Sequence, residues 1–202
     1  GMKPYSGGGR APVIHDQADA NGIHDAAKNL PAHIEAEMGD IEKALSESHL
    51  VVEGRFDLGY AQHCPLEPHA CITYLDEKNR LVIRTATQVP FHARRITAQV
   101  LGIPVKRIRV IKPRIGGGFG AKQEVILEYL AGGVTLRTGR PCRLIMPRAE
   151  EFIFARTRHP HTVWMKIGMR EDATVKALSM HALSNTGWNG SHSLTVVCNA
   201  GS

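Results

Sequence analysis

No run of about 18 or more apolar residues occurs anywhere in this 202-residue sequence, which leaves no candidate for a membrane-spanning helix. The first stretch, GMKPYSGGGR, lacks the apolar segment of a secretion signal. The four cysteines, Cys64, Cys71, Cys142 and Cys198, form no C-x-x-C pair, so zinc ribbons and iron–sulfur sites within the chain are not expected. Isolated cysteines without a secretion signal suggest a reducing compartment and a cytoplasmic location, with the thiols acting as small hydrophobes. Aromatic residues make up only 5%, and no block of five like charges occurs, which argues against nucleic acid as a partner. Internal repeats are also lacking.

What remains is the composition of a globular protein, 43% hydrophobic and 22% charged. The length suffices for one domain or two. A net charge of +6, from 25 Lys and Arg against 19 Asp and Glu, favours an anionic partner such as a phosphate-bearing cofactor. A mildly basic solubilising surface explains the same excess.

Residues 1–38 carry YSGGG, several Asp and His and little apolar periodicity, and read as an extended connector or the end of a preceding domain. In GDIEKALSES, Asp40 is a candidate N-cap and Ile41, Ala44 and Leu45 give a short helix one apolar face. HLVVEGRFDLGYAQHC reads as one long strand or a bent pair. A hairpin is expected over 69–75 and 80–86, turned by Asp76 to Asn79. In PFHARRITAQVLGIP, Ala93, Ile96, Val100 and Leu101 share a helical face. Pro90 suits the start of that helix, and Gly102 with Pro104 its end. KRIRVIKPRI returns to strand, burying Ile108, Val110 and Ile111. AKQEVILEYLAGGVTLRTGRP reads as a helix with Val125, Ile126, Tyr129, Leu130 and Val134 on one face, ended by Gly139 and Pro141. Gly132 and Gly133 inside it suggest close packing against a neighbouring backbone. Strands follow at CRLIM and in a hairpin turned near Glu171 to Thr174. The order predicts an α+β fold, a mixed or antiparallel sheet with two or three packed helices.

Between the 108–111 strand and the next helix lies RIGGGFGAKQE, residues 114–124. A Walker A loop needs Lys then Ser or Thr, but here Lys122 is followed by Gln123, so the magnesium-holding hydroxyl is missing. Gly116-x-Gly118-x-x-Ala121 formally fits the dinucleotide turn, yet the preceding strand, with Arg109, Lys112 and Arg114, is too polar for an interior parallel strand. A third reading has backbone amides holding an anionic cofactor at a helix start. Phe119, between Gly118 and Gly120, then either walls a planar substrate or anchors the loop in the core.

The stretch ATQVPFHARRITAQVLGIPVKRIRVIKPRIGGGFGAKQE resembles the molybdopterin-binding region of the xanthine dehydrogenase/aldehyde oxidase family. HCPLEPHA, TGRPCRLIMPRAEEFIFARTRHP and SNTGWNGSHS resemble the same family in the same order, over roughly residues 12–202. The resemblance implies that residues 39–202 are the incomplete N-terminal part of a molybdopterin-binding domain. It implies a molybdenum–pyranopterin cofactor, as molybdopterin or its cytosine dinucleotide, and hydroxylation of an aldehyde or N-heterocycle with water as oxygen source. Electrons would pass to iron–sulfur clusters and FAD on other domains or subunits, in an oligomeric assembly. Gln88 matches the family glutamine that hydrogen-bonds an oxygen ligand of molybdenum, a role suited to a neutral amide. Gly117, Gly118, Phe119 and Gly120 match the loop beside the cofactor, with the phenyl ring near the substrate. Direct metal ligands from the chain are not implied.

Two departures stand out. Purine-oxidising members place a substrate-binding carboxylate where this sequence has Gln123, and an amide cannot share a proton in that way. The family's late GxGE glutamate and its arginine–glycine segment have no counterpart here, so the chain is expected to be part of a larger protein and inactive alone. The competing reading is a non-catalytic module binding a nucleotide or another subunit. His63 and His69 are assigned to loop packing or hydrogen bonding. Arg94 and Arg95 are assigned to solvent. Glu67 and Glu150–Glu151 suggest carboxylates for acid/base work, but adjacent Glu residues on a strand face opposite ways, a poor pair.

Overall fold

A computed structural model describes residues 24–25, 30–187 and 193–200. The elements in chain order are α1 (Ile41–Ser46), β1 (Leu50–Leu58), β2 (Ala61–Gln62), β3 (Ala70–Leu75), β4 (Leu81–Thr85), α2 (Pro90–Leu101), β5 (Ile108–Ile111), α3 (Glu128–Thr138), β6 (Cys142–Ile145), α4 (Arg148–Phe154), β7 (Thr157–Arg158), β8 (His161–Met169), β9 (Val175–Ser184) and α5 (Ser193–Ala200). The fold is α+β, as expected. Most of the 1–38 segment lies outside the described residues, as does much of SNTGWNGSHS. The described residues gather into two compact units: those up to Gly59 together with those from His159 onward, and Tyr60–Arg158.

The first unit is an antiparallel sheet in the order β1-β8-β9. Its register sets Arg55 opposite Trp164 and Trp164 opposite His181 on one face. The Arg55 guanidinium stands 5.5 Å from the Trp164 ring centre. Asp172 stabilises the tight turn before β9 by accepting from the Thr174 N–H and hydroxyl. In α1, Asp40 accepts from the Lys43 N–H at 3.0 Å, the expected N-cap, worth about 1 kcal/mol. Leu45 is buried and lies where a Cβ on Gly168 would reach, so the helix rides close on the sheet.

The second unit carries a four-stranded sheet in the order β5-β4-β3-β6. β3 runs antiparallel to β4 and β6, while β4 and β5 are parallel. The expected hairpin forms because Asp76 accepts from the Lys78 and Arg80 N–H groups and from Arg80 Nε, while Asn79 takes the left-handed conformation at φ 55°. The parallel pair needs a crossover, and α2 supplies it. Cys71, Leu81, Ile83, Ala98, Ile108, Leu127, Ala131 and Met146 form the core. Each fully buried aliphatic side chain contributes about 1.5–3 kcal/mol. The two-residue ladder β2–β7 lies in the same unit, so the stretch from 49 to 64 is two strands.

Several expectations need correction. On α2 the buried residues are Ala93, Thr97 and Ala98, whereas Val100 is exposed. On α3 they are Glu128, Ala131, Gly132 and Thr135, while Leu130 and Val134 are exposed. The reason is close approach, since small residues line the packed faces of both helices. A Cβ on Gly132 would stand 3.0 Å from Leu81 Cδ2 and 3.2 Å from Leu101 Cδ1, so the close neighbours are side chains and not backbone. Thr73 on β3 donates to the Ala131 carbonyl at 3.0 Å and lies 2.7 Å from the Thr135 hydroxyl. β5 buries Ile108 fully, but Val110 and Ile111 only partly. Arg94 is not simply solvated, because its Nε donates to the Val105 and Ile108 carbonyls. Glu150 and Glu151 sit on the helix α4, where only Glu151 is buried. No described helix is long and apolar enough to cross a membrane.

Candidate functional site

Four segments of the second unit build the site: the CPLEPHA turn before β3, the Thr87–Val89 turn before α2, the glycine loop after β5, and α4. The glycine loop does not run straight into a helix. A short 3-10 turn, Ala121–Gln123, follows it, and α3 starts only at Glu128. The simple picture of an anion on a helix N-terminus is therefore corrected.

Gly117 at φ 97° and Gly120 at φ 96° hold left-handed backbone that glycine adopts without strain. Phe119 takes φ 51°, which strains a residue with a side chain. The residue is 72% exposed, so within the described residues it is not packed into the core. Among the described residues the N–H groups of Gly117, Gly118 and Phe119 have no acceptor. Consecutive free amides on such backbone form a concavity suited to electron-rich atoms.

Gln88 is docked onto this loop. Its Oε1 accepts from the N–H of Gly120 at 3.0 Å and of Lys122 at 3.2 Å. Its own N–H donates to the Lys122 carbonyl at 2.9 Å. Gly118 makes room for it, because a Cβ there would stand 2.6 Å from Gln88 Cδ. With Oε1 committed, the amide orientation is fixed, and the Nε2 donor is left without an acceptor among the described residues. Gln88, Gly117, Gly118, Phe119 and Gly120 thus come together. Gln123 sits half-buried in the 3-10 turn, its N–H donating to the Gly120 carbonyl at 3.3 Å. Glu124, one place on, is 3.8 Å from Arg156 Nε.

Behind the loop lie ionisable groups whose pairing the sequence does not show. Lys122 is fully buried and donates from Nζ to Glu67 Oε2 at 2.8 Å. Glu67 Oε2 also accepts from the Gly116 N–H at 2.9 Å. Burial pushes the Glu67 carboxyl up, but the Lys122 ammonium, the Gly116 N–H and the nearby His69 together outweigh it and hold the group below its ordinary value. His69 is buried beside Glu151, with its N–H and Nδ1 both on that carboxylate. Its Nε2 lies 3.3 Å from the Ala121 carbonyl. This is the hydrogen-bonding role expected of His69, and His63 Nδ1, 3.1 Å from the Arg156 carbonyl, has a similar one. Glu128, buried at the start of α3, accepts from the Ile126 and Leu127 N–H groups and from the Thr85 hydroxyl. In the sequence, Lys122 drew notice only as a failed Walker lysine, and no local pattern announces a buried pair.

The chain belongs to the molybdopterin cofactor-binding domain family, whose model matches residues 23–202. It is 42% identical over 172 residues to the probable hypoxanthine oxidase XdhD of Escherichia coli, covering 85% of this chain and 18% of that one. It is 34% identical over 184 residues to the putative xanthine dehydrogenase molybdenum-binding subunit XdhA of the same organism, covering 91% and 24%. Among solved structures, quinoline 2-oxidoreductase from Pseudomonas putida matches with a TM-score of 0.61 and 30% identity, over 71% of this chain and 18% of that one. The chain therefore spans a short portion, 18% and 24%, of these two curated relatives.

Proposed function

We propose that this chain supplies the part of a molybdenum hydroxylase that cradles a molybdenum–pyranopterin group and presents it to an aldehyde or N-heterocycle. The observation that carries the reading is the docking of Gln88 on the glycine loop, which leaves a neutral donor and three free backbone amides on neighbouring residues. Those donors suit the electron-rich atoms of such a group, so the residues present fit it. When bound, such a group would supply the two-electron oxidation of a substrate carbon, with water as the source of the added hydroxyl.

The chain's own residues would bind, orient and exclude. Gln88 Nε2 would donate without adding charge, which favours a developing negative charge over a neutral ground state. The N–H groups of Gly117, Gly118 and Phe119 would add fixed donors that need no reorganisation during the reaction. The exposed Phe119 ring offers a planar apolar wall on which an aromatic substrate can lie and from which it displaces water. Gln123 can donate and accept but cannot hold a proton for a purine ring. The likeness to a relative named as a probable hypoxanthine oxidase pulls the other way, so purine turnover by the complete protein with Gln123 intact decides that point. Electrons would leave through iron–sulfur and flavin centres carried outside these residues. Co-production of the complete protein with its maturation partners, followed by metal and pterin analysis, tests the proposal. Molybdenum and pterin in matched amounts support it, and their absence from a folded product counts against it.

A further inference from the structure

The two ends of the glycine loop are each gripped by one residue. Glu67 holds the first end twice: its N–H donates to the Gly116 carbonyl at 3.0 Å, and its Oε2 accepts from the Gly116 N–H at 2.9 Å. A Cβ on Gly116 would stand 2.7 Å from Glu67 Cβ, so the two backbones are in close contact. Lys122 holds the far end twice: its N–H donates to Gln88 Oε1, and its carbonyl accepts from the Gln88 N–H. The side chains of Glu67 and Lys122 then meet at 2.8 Å. One residue beyond Glu67 and Pro68, the His69 ring reaches the Ala121 carbonyl, while Glu151 holds its other nitrogen.

We propose that the Glu67–Lys122 ion pair is a positioning clasp that closes the loop from Gly116 to Lys122 and so fixes the side-chain amide of Gln88. A buried lysine is costly to desolvate, and well-packed apolar residues often serve stability as well or better. A clasp between two distant segments explains why an ionic link stands here. The ammonium is fully buried, whereas the carboxylate is 34% exposed, so the pair joins the interior to the rim of the site. Neither side chain needs to touch substrate. Each acts through the loop and Gln88.

The proposal deepens the cofactor reading, but it is tested on the complete protein in its cofactor-free form, so the two fail separately. Amide hydrogen exchange is followed by mass spectrometry of fragmented loop peptides in the complete parent protein, in Lys122→Met and in the double variant Glu67→Leu/Lys122→Met. In Lys122→Met, exchange at Gly116, Gly120 and position 122 should quicken by roughly tenfold or more, while the β3 and β4 amides keep their protection. The apolar double variant should match or exceed the parent in urea midpoint yet keep the fast-exchanging loop. Unchanged loop exchange in either variant overturns the proposal. So does equal loss of protection in β3 and β4, or recovery of loop protection in the double variant, since both mark a merely structural pair. Should Lys122→Met fail to fold, the double variant alone decides by the same loop amides, and failure of both to fold also overturns it.

Discussion

Gln88 Oε1 accepts the N–H of Gly120 at 3.0 Å, so the orientation of a side-chain amide is set by the backbone of a glycine loop. That bond determines which end of Gln88 can serve a ligand. Gln88→Glu keeps the acceptor toward Gly120 but replaces the outward donor with a charged oxygen. Steady-state kinetics of the complete enzyme should show turnover reduced by roughly 100-fold or more, with molybdenum retained. Gly118→Ala should give a loss of similar sign by another route, since its Cβ would meet Gln88 Cδ at 2.6 Å and push the amide off the loop. Wild-type turnover in either variant contradicts this assignment.

The two adjacent glycines of α3 should respond in opposite directions to alanine. At Gly133 a Cβ would make an ordinary 3.6 Å contact with Leu101, so Gly133→Ala should gain up to about 1 kcal/mol from helix propensity. At Gly132 the new methyl would press on Leu81, which is buried in the core and cannot move aside. Overpacking of about 1–3 kcal/mol then outweighs the propensity gain. Urea unfolding of the two variants should bracket the parent midpoint.

Cysteine reactivity should sort by burial. Burial and the neighbouring Glu128 carboxylate push the Cys71 thiol up to about 12, so almost no thiolate is present at mildly alkaline pH. Cys64 and Cys198 are exposed. Iodoacetamide followed by peptide mass mapping should label these two in the folded chain and reach Cys71 only on unfolding.

Acid should weaken the loop clasp within a defined window. The Glu67 carboxyl is held below its ordinary 4.5, so its folded value is the lower one. Its contribution is complete above pH 4.5 and is lost as pH falls from there through the folded value. Asp57, Asp76 and Asp172 are also lowered, by hydrogen bonds to Thr162, Arg80 and Thr174 respectively, and lose their smaller surface contributions below 3.8. Exchange of the Gly116 amide against pH should show the Glu67 step, and Glu67→Gln should abolish it.

The hairpins, the helix caps and the element order were legible because turn chemistry and period-2 alternation are local signals. Asp40, Asp76, Asn79, Gly102 and Gly139 each announce their turn or cap by residue type. The buried faces of α2 and α3 depart from the expectation because apolar periodicity selects large residues, whereas the packed faces carry Ala98, Ala131 and Gly132, the last held close to Leu81 and Leu101. α4 was missed because seven residues with Phe152, Ile153 and Phe154 exposed leave no apolar face to read. At the site, the resemblance brought forward Gln88 and the loop residues, but the Glu67–Lys122 and His69–Glu151 pairs join positions far apart in the chain. A single sequence carries no local sign of such pairings.

The central claim is that Gln88 and the Gly117–Gly120 loop belong to a molybdenum site. Its most direct test is the X-ray absorption spectrum at the molybdenum edge of the purified complete protein, compared with that of Gln88→Ala. A molybdenum edge in the parent, with its near-edge features altered by the substitution, is the result predicted. A folded parent without molybdenum, or a molybdenum spectrum indifferent to Gln88→Ala, would contradict the claim.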